Sequence, residues 1–147
     1  MTKDKMEFEE LLEKKKIDKK KKRVENLLRN YKTNKARLKI LELGLVNYQD
    51  RTLNGIDYSS DVVQTSNIGD LSNGIVARES EMIKLEHDIG VTDALIDSLV
   101  EKDRFIIWQL YIENRTQVQV ANDLNYYDTK TVWLNKERII KGMMELV

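Results

Sequence analysis

Cysteine is absent from the 147 residues, which excludes disulfides, thiolate metal sites and thiol nucleophiles. Proline is absent as well, and glycine occurs six times, so little interrupts long helices. The one histidine, His87, lies in an acidic stretch with no ligand set beside it, so no metal site is expected. No apolar run approaches the roughly 20 residues of a membrane span, and no membrane partner is expected. The lysine-rich start is not followed by an apolar core segment, so a secretory signal is not expected and a cytoplasmic, nucleoid-associated protein is. There is no P-loop and no glycine-rich nucleotide fingerprint, so neither an enzyme nor a cofactor is expected.

Charged residues make up 34% of the chain and hydrophobic ones 41%, a balance that favours helices with much solvated surface. The net charge of zero hides a gradient. Residues 1–39 hold 15 Lys and Arg against 7 Asp and Glu, residues 40–98 hold 3 against 11, and residues 99–147 hold 7 against 7. The acidic middle reads as a solvated face, or as a restraint on the basic N-terminus.

Four segments follow. Residues 1–45 read as a basic N-terminal helix. Lys14 to Lys16 and Lys19 to Arg23 form either a phosphate-seeking arm or a solvated surface. Met6, Phe8, Leu11 and Leu12 give its start a short amphipathic face. Val24, Tyr31, Leu38 and Leu45 then recur every seven residues, with Leu27, Leu28 and Leu41 between them, a coiled-coil-like seam expected to stop soon after Gly44.

Residues 46–74 are crowded with Asn, Asp, Ser and Gly and read as a polar linker. That is long for a structureless loop, so it is either mobile or packed through Ile56, Tyr58, Val62, Val63 and Ile68. Residues 75–98 read as a second long helix, with Ile75, Met82, Ile89 and Ile96 every seven residues. Gly90 weakens it by about 1 kcal/mol relative to alanine. The two seams could pair as a hairpin or between chains in a homodimer.

Residues 99–147 have the spacing of three helices, the last two as a helix-turn-helix. Ile106, Ile107, Leu110 and Tyr111 mark the buried face of the first. Glu113, Asn114 and Arg115 make a polar turn into Thr116, a suitable N-cap. Val118, Ala121 and Leu124 are spaced for one face of the second helix. Asn125 suits the left-handed conformation at its end, and Asp128 suits the next N-cap. Val132, Ile139, Ile140 and Met143 give the last helix an apolar stripe, while Thr129, Lys130, Thr131, Asn135 and Lys136 stay polar, as in a helix that reads base edges. Trp133 either packs against neighbours or stacks on sugar and touches a thymine methyl. The expected fold is all-α: a long N-terminal helix in a hairpin or dimer, plus a C-terminal three-helix helix-turn-helix unit.

Phe105 to Asn114, Thr116, Val120-Ala121, Leu124-Asn125-Tyr126 and Thr131-Val132 together resemble region 4 of the sigma-70 factors. The whole chain resembles more specifically the phage late-transcription regulators of the RinA and ArpU type, and Val62 to Ser66 resembles a short motif in the middle of such proteins. The resemblance implies a sequence-specific regulator of phage or prophage late genes that binds promoter double-stranded DNA, with host RNA polymerase as a further partner. It implies a DNA-contacting set of Thr116, Gln117, Asp128, Thr129, Lys130, Thr131, Trp133, Asn135 and Lys136, with Arg138 and Lys141 on phosphates. Asn125 stands where the family has a turn glycine. Nothing matches the sigma segment that opens the −10 element, so a stand-alone sigma factor is not expected. The alternatives are an adaptor like the small subunit of phage terminases, or a module that binds polymerase without reading DNA.

Overall fold

The computed structural model describes the backbone of residues 2–54 and 65–147 and the side chains of residues 2–45 and 73–147. Among the described residues the chain is all-helical. The order is α1 (Thr2–Arg29), α2 (Tyr31–Asn54), α3 (Thr65–Asp97), α4 (Glu101–Ile107), a π-helical turn (Trp108–Ile112), α5 (Gln117–Asp123) and α6 (Thr129–Leu146). Among the described residues no helix is long and apolar enough to cross a membrane.

The helices extend further than residue composition suggests. α2 runs past Gly44 to Asn54, and α3 begins at Thr65, so the flanks of the span read as a polar linker are helical. A helix-interior glycine costs only about 1 kcal/mol, which neighbouring turns readily offset. Residues 55–64, with Ile56, Tyr58, Val62 and Val63 and most of the Val62 to Ser66 motif, lie outside the described residues, as does the side chain of Ile68. The N-terminal helix is instead interrupted at Asn30, between α1 and α2.

Two compact units emerge: Met1–Tyr31 with Val91–Val147, and Lys32–Gly90. Their edges differ from breaks at 45, 74 and 98, because α1 and α3 each contribute to the unit that holds the C-terminal helices. In the first unit α6 is central. It packs against α1, α4 and α5, and α1 also meets the π-helical turn. The core comes from Val24 and Leu28 of α1, Leu95 and Ile96 of α3, Ile106 and Ile107 of α4, Tyr111 and Ile112 of the turn, Val120 and Ala121 of α5, and Val132, Ile139, Ile140 and Met143 of α6. Tyr31 donates a hydrogen bond to the Asp93 carboxylate and meets Trp108 edge to face, with ring centroids 6.0 Å apart. The buried Thr92 hydroxyl donates to the Leu27 carbonyl at 3.5 Å. Arg104 reaches back to the Leu99 carbonyl at 3.1 Å and, at the end of α3, to the Ile96 and Asp97 carbonyls at 3.4 and 3.5 Å.

In the second unit side chains of α2 and α3 meet within one chain. Arg37 of α2 donates from Nε to Glu81 of α3 at 2.9 Å, and the Arg78 guanidinium lies 3.5 Å from where a Cβ on Gly44 would stand. The order, 37 with 81 and 44 with 78, makes the two helices antiparallel. Leu41 is buried, whereas Leu38, Leu45, Ile75, Met82 and Ile89 are partly covered.

Candidate nucleic-acid interface

The helix-turn-helix is assembled by local caps. The Thr116 hydroxyl accepts from the Gln119 backbone N–H at 3.3 Å, and the Gln119 side chain accepts from the Thr116 N–H at 3.0 Å. This reciprocal box is worth about 1 kcal/mol at the start of α5. α5 ends with Asn125 at φ 55°. There the Asn125 N–H donates to the Asn122 carbonyl at 3.2 Å and the Tyr126 N–H to the Ala121 carbonyl at 2.9 Å. That pair of bonds is a Schellman closure, which needs a left-handed residue where Asn125 sits. Asp128 then caps α6 by accepting from the Lys130 N–H at 3.1 Å.

The turn before α5 is built differently. Residues 108–112 coil more widely than an α-helix, with the Glu113 N–H on the Trp108 carbonyl at 2.9 Å. Asn114 follows at φ 52°, and the Arg115 N–H reaches the Gln109 carbonyl at 2.9 Å. The widened turn buries both Tyr111 and Ile112. Arg115 pairs with Asp123, joining the two ends of the α5 region.

α6 is amphipathic as its spacing predicts: Val132, Ile139, Ile140 and Met143 are all buried. At 100° per residue, Lys130, Leu134 and Lys141 fall on the opposite side, with Thr131 and Arg138 beside them on one flank and Trp133 on the other. Lys130, Thr131, Arg138 and Lys141 are exposed; Trp133 is 45% and Leu134 52% exposed. Leu134 lies in the middle of this face and is absent from the expected set, whose only large apolar member is Trp133. On α5, Thr116 is exposed and Gln117 partly covered. Val118 points outward, and Val120 takes the buried place expected for it. The capping box at Thr116 sets that register.

Other expected contacts are already engaged within the protein. The Arg138 guanidinium forms two hydrogen bonds with Asp103 of α4, at 2.8 and 3.2 Å, which favour its charged form. Before meeting a phosphate it would have to leave that carboxylate. Lys136 falls on the buried side of α6, between Ile140 and Met143, and is largely covered, 3.4 Å from Glu137; Asn135 and Thr129 are partly covered. The exposed carboxylate of Asp128 is occupied in capping.

Positive charge comes to this unit from α1. Lys21 donates to both carboxylate oxygens of Glu137 on α6, at 2.9 and 3.2 Å. Arg29 lies over the Tyr111 ring, 5.6 Å from its centroid, and burial pushes the Tyr111 phenol well above its ordinary range. Lys20, Lys22 and Arg23, beside Lys21 in sequence, are exposed. The hydrogen bond from Lys21 holds the Glu137 carboxyl below its ordinary value of 4.5, against the opposing effect of burial. The contribution of Glu137 to stability is therefore present above that value and lost as pH falls through the lower folded one. Lys21→Gln should cost under about 1 kcal/mol at neutral pH, because the pair is partly solvated. It should also flatten the loss of stability between roughly pH 5 and 3, read by urea unfolding at each pH.

Among the described residues no group of three or more His, Asp or Glu side chains is placed to hold a metal ion. Comparison with protein-family profiles, with curated proteins and with solved structures finds no match.

Proposed function

We propose that the protein is a sequence-specific DNA-binding regulator of transcription, of the phage late-gene kind, in which α6 enters the major groove. The observation that carries this reading is the docking of basic α1 on α6. The C-terminal helices alone are neutral, and DNA affinity draws heavily on phosphate neutralisation. Lys20, Lys22 and Arg23 supply that charge in the same compact unit as the reading face. Lys130 and Thr131, at the exposed start of α6, are the side chains for base edges, with Leu134 and Trp133 suited to thymine methyls. A homodimer would double both contributions.

A second reading has its own observation: Trp133 and Leu134 leave α6 with exposed apolar side chains, which also suit a protein surface such as that of host RNA polymerase. Selection of duplexes from a random pool by the full-length protein tests the two. A defined motif with thymines is the expected result. Enrichment without a motif, alongside capture of purified polymerase, would favour the second reading.

A further inference from the structure

Every described residue of α1 from Thr2 to Lys20 is exposed. These 19 residues form an arm about 28 Å long at 1.5 Å per residue. Phe8, Leu11 and Leu12 lie at helical spacing on one side of it, exposed by 63%, 57% and 43%. An isolated helix of this length is marginal in water unless something covers its apolar side. The arm is also divided by charge. Residues 3–13 carry five carboxylates and two lysines, whereas residues 14–23 carry eight basic side chains and one carboxylate.

We propose that this arm pairs antiparallel with the same arm of a second copy of the chain. Parallel pairing would set carboxylates against carboxylates and ammonium groups against ammonium groups. Antiparallel pairing about a two-fold axis sets each acidic block on a basic one, and flanking charges of this kind decide helix orientation. With the arms crossing at Leu11 and Leu12, Asp4 falls opposite Lys19 of the second copy and Phe8 opposite its Lys15. Glu7 and Glu9 flank the seam near Lys14 and Lys16 of that copy. Lys20, Lys22 and Arg23 fall outside the carboxylate block and stay available beside α6.

Sedimentation of the full-length protein over a range of concentrations, at low salt and without DNA, tests the pairing. A dimer is expected, weakened by salt. Glu7→Lys with Glu9→Lys should raise its dissociation constant about tenfold or more, and so should Lys14→Glu with Lys16→Glu. All four substitutions together should restore it, and mixing the two double variants should give a heterodimer. Phe8→Ser with Leu11→Ser and Leu12→Ser should leave a monomer of unchanged thermal stability, since these side chains reach no core. A monomer at every concentration, a dimer indifferent to either charge reversal, or a ring of higher order would each overturn the proposal.

Discussion

Leu28→Asp is expected to unfold the C-terminal helices along with α1, although it lies more than 60 residues before them in the chain. Leu28 is fully buried in a unit where α1 packs against α6 and the π-helical turn. Truncation to alanine at such a site costs about 2–5 kcal/mol. An aspartate adds the cost of a buried, unpaired carboxylate. Domains of this size have roughly 5–15 kcal/mol in all, so the substitution should consume most of it. Both tryptophans, Trp108 and Trp133, lie in this unit and report on it by fluorescence. Their emission should shift to that of solvated indole, while Ile83→Asp, at an exposed position in the other unit, should leave it unchanged. A Leu28→Asp protein with native tryptophan emission would mean that α1 is an appendage and not part of the C-terminal fold.

The second large effect separates two kinds of contact. Lys20→Gln, Lys22→Gln and Arg23→Gln together should weaken binding to every duplex alike and reduce the slope of log affinity against log salt by about 3, one per lost phosphate contact. Lys130→Ala should instead cost about 1–3 kcal/mol on the selected site and little on unrelated DNA. Fluorescence anisotropy at several salt concentrations measures both. A uniform loss from Lys130→Ala would move Lys130 from base edge to phosphate and leave Thr131 and Leu134 as the side chains that read sequence.

The parts of this architecture that sequence foretells are those decided within one turn of chain. Thr116 and Asp128 cap because a short side-chain oxygen meets a backbone N–H two or three residues on. Asn125 closes α5 because asparagine tolerates a positive φ, so no glycine is needed there. The stripe of Val132, Ile139, Ile140 and Met143 is legible because burial follows helical period. Longer-range choices leave weaker traces. Val24, Leu27 and Leu28 look like the start of a seam, but a heptad does not name its partner, and here it is α6 and the π-helical turn. That turn has no local signature; it shows only in the backbone bonds that Glu113 and Arg115 make. The Asn, Ser and Asp residues of 65–74 read as a linker because such side chains compete with helix bonds, a preference that α3 overrides.

In the proposed function α6 reads sequence and α1 anchors it electrostatically. The most direct test is the affinity of the full-length protein for its selected duplex relative to a scrambled duplex of equal length, at one physiological salt concentration. A ratio of at least about 1,000 is expected. Equal affinities would contradict it and leave α6 as a surface for protein.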